Sequence, residues 1–295
     1  MARVTGPTLV ELAVPLRLGS ISGGRFDLAP AAIRGALDRF VAHRPDEPAR
    51  IEQLGLTLEV AQDLAQVASM TPADAFEPIR RHVGVTMERA RSGGAAVLLG
   101  GDNSITRPGV HAAAGDSGLG RTGLLTIDAH HDIRETDGGL TNGNPIRALL
   151  EDGLQGWNVI QVGIQPFANP ADHAEVAREA GIAVVTADEA RRRGVADVVA
   201  DTLEALGRRV DVIYVDLDVD VLDRAFAPAC PGSRPGGLTP WEVQAAATVC
   251  GRHPKVRIMD IVEVDPERDV ADVTAFTAAS FVLSFAGGLA ARMGR

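Results

Sequence analysis

Six short, continuous apolar runs constrain this chain more than any other feature: AAVLL (95 to 99), GLLTI (123 to 127), NVIQV (158 to 162), IAVV (182 to 185), VDVIYV (210 to 215) and VRIMDIV (256 to 262). Runs that are apolar throughout, rather than alternating, belong to strands covered on both faces. Helical patterns separate several of them, at 145 to 152, 170 to 180, 188 to 208 and 240 to 251. That alternation predicts βαβ crossovers and a parallel sheet with helices on both sides, an α/β fold. Upstream, Thr8 to Val14 reads as a first strand and PAAIRGALDRFV from Pro30 as a helix with proline in its first turn. A further helix is expected from Phe76 to the Gly93-Gly94 stop, and the Ala-rich segment 273 to 292 reads as a closing helix. Residues 43 to 75 hold no motif. No linker, repeat or low-complexity tract breaks the sequence, so a single domain over 1–295 is expected.

Composition narrows the partners. The formal charge is −10 and no Lys/Arg-rich run offsets it, which argues against nucleic acid or an anionic membrane surface. The N-terminal MARVTGPTLVELAV lacks the basic-then-apolar layout of a leader, and no membrane span is expected, so the reading is cytoplasmic. Cys230 and Cys250 suit neither a disulfide scaffold nor a CxxC site and read as reduced thiols.

Three of the apolar runs end in chemistry. VLLGGDNS (97 to 104), LLTIDAHHD (124 to 132) and VIYVDLDVDVLD (212 to 223) each place polar or acidic residues just past a strand. Ligands of open parallel sheets collect at those carboxyl ends. On extended backbone Asp128, His130 and Asp132 share one face while Ala129 and His131 point away, and the same parity gathers Asp216, Asp218 and Asp220. Converging carboxylates repel, and cations resolve the repulsion. Four negative charges from Asp128, Asp132, Asp218 and Asp220 match two divalent ions, with His130 adding a nitrogen. An oxygen-rich set with one imidazole suits Mn²⁺ better than Zn²⁺, with nickel and cobalt left open. Two such ions can share a water and lower its pKa, which makes hydrolysis the expected chemistry. Asp216 reads as an outer support of the site or as bonded to backbone, Asp223 as closing a turn, and His131 as packing or as an outer support of the site. His43, His82, His111, His173 and His253 lie outside any ligand spacing and read as surface or structural.

These segments carry a resemblance to the ureohydrolase superfamily of arginases, agmatinases and formimidoylglutamases. GGDN (100 to 103), DAHHD (128 to 132) and DVDVLD (218 to 223) are similar, in order, to the family patterns GGDH, DAHxD and DxDxxD. The likeness extends from FDLAPAAIR (26 to 34) through RPGGLT (234 to 239) to IVEVDPERD (261 to 269). It implies a three-layer α/β/α sandwich with a mostly parallel, about eight-stranded sheet, assembled as trimers or hexamers. It also implies Asp128 and Asp218 as ligands bridging two metals, Asp132 on one, and His130 and Asp220 on the other. Glu263 matches the carboxylate that holds the cationic C–N group of a small-molecule substrate. Asp132, Glu263 and His130 thereby become the expected catalytic residues.

Two departures sharpen the expectation. Asn103 stands where the family has a ligating histidine, so one of two Mn²⁺ ions is expected to bind weakly. Asn142, in LTNGNPIR, replaces the histidine of an HGxP segment, which argues against an arginase. DAHHDIR followed by NGNPIR resembles formimidoylglutamases more closely, and gives Arg134 the role of binding a substrate carboxylate. Asn142, Asn144 and Arg147 are further candidates to contact a glutamate moiety, with capping of the following helix as the second reading for Arg147. The reading is hydrolysis of N-formimidoyl-L-glutamate to L-glutamate and formamide. A urea-releasing agmatinase or guanidino-acid hydrolase is the second reading, and a catalytically impaired binding protein the third.

Overall fold

The computed structural model describes residues 7–41, 57–61, 63–90 and 93–294. Its strands are β1 (Thr8–Val14), β2 (Thr57–Val60), β3 (Ala95–Gly100), β4 (Thr122–Ile127), β5 (Val159–Ile164), β6 (Ala183–Thr186), β7 (Val212–Asp218) and β8 (Val256–Val262). All pair in parallel, in the order β2-β1-β3-β8-β7-β4-β5-β6. Alternate side chains feed two cores. Val97, Leu99, Leu125 and Val215 face α1 (Ala29–Leu37), α6 (Ala187–Arg193), α7 (Val195–Gly207), α8 (Pro240–Arg252) and α9 (Val273–Ala290). Ala96, Leu98, Leu124 and Tyr214 face α2 (Pro72–Arg89), α3 (Thr106–Ala114), α4 (Pro145–Glu151) and α5 (Ala171–Ala180). The three layers expected from the apolar runs are present.

Differences from the expectations have local causes. The helix expected from Phe76 starts at Pro72, because the Thr71 hydroxyl accepts from the Asp74 N–H at 3.2 Å and proline suits the first turn. The helix expected over 188 to 208 is two, α6 and α7, divided at Gly194, whose φ of 87° lies where side chains other than glycine's are strained. The run at 182 to 185 was expected to be covered on both faces, yet β6 is largely exposed because it ends the sheet. Neither β2 nor α3 has a sequence signal that predicts it, and His43 lies outside the described residues. The closing helix α9 is long and apolar enough to cross a membrane, but 78% of it is buried, against α1 and α8.

The α8–α9 contact sets a stability prediction. A Cβ at Gly288 would land on the Thr248 carbonyl oxygen and 3.0 Å from the Gly251 Cα. Alanine in a helix gains about 1 kcal/mol over glycine, whereas overpacking against backbone costs about 1–3 kcal/mol. The clash outweighs the gain: Gly288→Ala is expected to lower the melting temperature by up to roughly 8 °C in a thermal scan.

Strand order also places the site. The chain builds β3, later β4, and then returns to insert β7 and β8 between them. The carboxyl ends of β3, β8, β7 and β4 therefore stand side by side where the strand order reverses, the position at which such sheets bind ligands.

Candidate metal centre

Each central strand hands one group to a common depression. Beyond β3, Gly101 sits so close to the Leu16 carbonyl that any Cβ would collide with it, and its carbonyl accepts from the Glu263 N–H at 2.9 Å. The next residue, Asp102, accepts from the N–H groups of Gly19 (2.9 Å) and Ser104 (3.0 Å), which fixes the turn that delivers Asn103. Beyond β4, the Asp128 N–H bonds the Val162 carbonyl at 3.0 Å, and its Oδ1 accepts from the His130 N–H at 2.6 Å. At the end of β7, Asp218 accepts from the Asp220 N–H at 2.8 Å, capping a short 3-10 turn. Glu263 follows β8 directly.

The six expected ligands converge, though not through simple strand parity. The segment 128 to 132 bends, and Asp132 adopts φ 54°, so its side chain is aimed by a turn rather than by extended backbone. Among the described residues only five other than glycine have positive φ, and two are Asp132 and Glu263 (φ 69°). Such strain costs about 1–3 kcal/mol and persists where surrounding structure holds it, commonly at functional sites. His130 Nδ1 lies 2.7 Å from Asp220 Oδ2 and 3.7 Å from Asp128 Oδ1. One ligand atom each from Asp128, His130 and Asp220 falls within 4.8 Å of the others, as does one each from Asp218, Asp220 and Cys230. Asn103 joins through Asp132, its Nδ2 donating to Oδ2 at 2.7 Å.

The electrostatics are those of a cation site. Burial pushes Asp128 and Asp218 well above the carboxylate range, with Asp220 adding repulsion to both, and burial raises Asp132 to about 7. The negative charge of Asp220 raises His130 to about 9; in return, although burial opposes it, the His130 contact holds Asp220 below its usual value. Burial, then the charge of Asp102, lifts Glu263 to about 8. Carboxylates so crowded fit divalent ions, and the oxygen-rich donor set with a single imidazole is the kind manganese takes.

A pH prediction follows with a definite sign. Asp132, Glu263 and His130 all have folded-state pKa values above their unfolded ones, so the stability each contributes is present at low pH and lost as pH rises through about 7, 8 and 9. Asp220, His131 and His173 have the opposite sign, but the Asp220 contribution changes only in acid and the two lowered histidines gain theirs below about 6.5, short of the range in which Asp132, Glu263 and His130 finish losing theirs. In EDTA the protein is expected to melt at a lower temperature at pH 8.5 than at pH 5.5, and Mn²⁺ is expected to restore stability chiefly at the higher pH. Calorimetry that found the chelated protein more stable at pH 8.5 would contradict this account of the cluster.

Above the acids opens a cavity lined by His130, Asp132, Asp218, Asp220, Glu263 and Asn142, among others. Asn142 donates to Glu263 Oε1 at 2.9 Å, and its own oxygen accepts from the Ile21 N–H at 3.0 Å. Arg134 reaches the same cavity, its stem lying over Gly143, and its guanidinium makes no hydrogen bond or ion pair among the described residues. Two expectations are corrected here. The Asn144 side chain donates to the Glu135 and Gly139 carbonyls and accepts from the Thr141 N–H, so it braces the loop and is not exposed to the cavity. Arg147 pairs with Glu135 and Glu151 and also stays outside.

Other residues fall where expected or were missed. His131 turns from the cavity to Gln161 (2.7 Å), and Asp223 closes a turn by accepting from Ala225 and Gly236. No backbone donor reaches Asp216; it lies opposite Asp260 across β7 and β8, and burial first, then that neighbour, raises its pKa. His173, a surface or structural residue by sequence spacing, lines the cavity, as does Arg234 of the RPGGLT segment. Arg234 could have been found from its loop: a Cβ at Gly232 would collide with the Asp220 carboxylate, so a small residue there marks a close return of the chain to the site. Cys230, read as an ordinary thiol, is buried beside Asp218 and Asp220.

Comparisons with known proteins place the whole chain. The arginase-family pattern matches residues 9–287. A formimidoylglutamase of Halalkalibacterium halodurans is 36% identical over 279 residues, which span 94% of this chain and 86% of the relative. The crystal structure of formimidoylglutamase from Bacillus subtilis superposes with a TM-score of 0.86 at 32% identity, covering 96% of this chain and 87% of that one. That of Trypanosoma cruzi formiminoglutamase with Mn²⁺ superposes with a TM-score of 0.86 at 25% identity, covering 96% and 94%. By its pattern, its sequence relatives and its fold, the chain belongs to the arginase family.

Proposed function

We propose that this protein is a manganese-dependent hydrolase that converts N-formimidoyl-L-glutamate and water to L-glutamate and formamide. The formimidoylglutamase relatives support it, and the single structural observation that carries it is the polarity of the cavity. Its floor is a buried acid cluster, while Arg134 and Arg234 line it as cations with no carboxylate partner among the described residues. A substrate with a cationic amidinium at one end and carboxylates at the other matches that polarity. Agmatine, cationic at both ends, does not.

Asn103, Asp128, His130, Asp132, Asp218 and Asp220 would hold two Mn²⁺ ions. Bound manganese supplies Lewis acidity and an activated water. The rest falls to the chain. Glu263, fixed by the Asn103 N–H at 2.8 Å and the Asn142 amide, accepts the amidinium N–H groups and orients the formimino carbon. Asp132, at the edge of the cluster, takes up a proton from water and can return it toward the leaving amine of glutamate. Arg134 binds a substrate carboxylate.

A turnover assay with formimidoylglutamate, agmatine, arginine and short guanidino acids, scoring formamide and urea, tests the reading. Formamide from the first alone is the expected result. Urea from a guanidino acid at a higher kcat/KM would replace this assignment with the second reading, and no bound metal with no hydrolysis would leave the binding protein. We further propose, from the family resemblance, that the protein assembles as a trimer or hexamer, which light scattering on the purified protein would measure. The continuous sheet flanked by both cores supports a single domain over 1–295.

A further inference from the structure

Asn103 is an unusual candidate ligand because its two ends are chemically different: the amide oxygen can bind a cation and the NH₂ group cannot. In the structure the NH₂ end faces the cluster, donating to Asp132, while the oxygen points back toward Thr106. Thr106 Oγ1 lies 2.6 Å from Asn103 Oδ1 and 2.9 Å from Asp260 Oδ2. A hydroxyl has one proton and can donate to only one of these acceptors. All three residues are buried, so the hydroxyl proton is divided between these two acceptors rather than given to bulk solvent. Asp260 is itself fixed, accepting from the Tyr214 hydroxyl at 2.5 Å and from the Leu217 N–H at 3.2 Å.

We propose that Thr106, anchored on Asp260, is the positioning residue that decides which end of the Asn103 amide faces the metals. When Thr106 donates to Asp260, its oxygen is free to accept, and the amide is stable only after a half-turn that gives its NH₂ to Thr106 and its oxygen to the cluster. When Thr106 donates to Asn103, the amide keeps the orientation described above and offers the cluster no lone pair. The inference rests on the reading of Asn103 as a metal ligand. Outer partners that orient ligands in this way typically change metal affinity 10- to 100-fold.

Mn²⁺ titration followed by electron paramagnetic resonance, with metal content after desalting, tests this without substrate. The parent is expected to bind two ions. Thr106→Val, which keeps the shape and deletes the hydroxyl, is expected to weaken one of them about 10- to 100-fold, and Thr106→Ser to restore it. In an Asn103→Asp background the two ends become equivalent oxygens, so Thr106→Val should there change affinity less than about threefold. The proposal is overturned if Thr106→Val binds as the parent does, if serine fails to rescue, if the Asn103→Asp background leaves the full effect in place, or if the parent never takes up a second ion. Should Thr106→Val not fold, Thr106→Ala is read by the same titration. Failure of formimidoylglutamate turnover with Mn²⁺ uptake behaving as stated would remove only the substrate reading.

Discussion

Asp128→Ala is expected to lose Mn²⁺ binding and to reduce turnover by at least about 10³-fold, because metal catalysis contributes several kcal/mol and each 1.36 kcal/mol is tenfold in rate. The expected fold of this variant makes the result interpretable. Asp128 belongs to no helix or strand; its own N–H still bonds Val162 after substitution, and what disappears is a buried carboxyl with an acceptor for the His130 N–H. Its pKa is raised well above the ordinary range by burial and by Asp220, so at neutral pH the ionised form opposes folding when no cation is bound. The chelated variant should therefore melt at or above the temperature of the chelated parent. The variant's melting point should also no longer rise with Mn²⁺. Asp128→Asn keeps the acceptor for His130 and removes the charge, so comparable loss of metal in both variants assigns the effect to coordination. Retention of two ions and activity within tenfold would remove Asp128 from the centre.

Much of this was legible in the sequence, for identifiable physical reasons. Strands buried on both faces leave uninterrupted apolar runs, which is why β3, β4, β5 and β8 could be placed to within two residues. The four acids past β4 and β7 were legible because like charges so close need a common counter-ion. What escaped depends on long-range contact. The short edge strand β2 has no apolar run of its own and is set by pairing with β1. The aim of Asp132 depends on a positive φ that no side-chain alternation reports. Asn144 and Asn142, two residues apart, looked equivalent, yet the turn at 141 to 144 gives one to the loop and the other to Glu263. Arg234 comes from the loop between β7 and α8, and only the folded chain places it across from Arg134's segment at one cavity. The same holds for Thr106 and Asp260, 154 positions apart in sequence and 2.9 Å apart in the fold.

Arg134→Ala is expected to spare the metals and damage recognition. The guanidinium is exposed at the cavity, makes no hydrogen bond or ion pair among the described residues, and lies outside the ligand cluster, so Mn²⁺ content and melting temperature should match the parent. A hydrogen bond to a charged partner is worth about 1.5–3 kcal/mol, which predicts a fall in kcat/KM on formimidoylglutamate of roughly 10- to 150-fold, carried mainly by KM. Arg134→Lys retains charge without the planar fork and should recover only part of the loss. The direction reverses for a cationic tail: agmatine, repelled by the parent, should be bound no worse by the alanine variant. Specificity between the two substrates is a difference of affinities, and removing a repulsive group narrows it even if no new contact forms. If Arg134→Ala left the formimidoylglutamate kinetics unchanged, carboxylate recognition would have to rest on Arg234 alone, and Arg234→Ala would then carry the full loss in KM. If neither substitution changed KM, the polarity of the cavity would no longer explain the substrate.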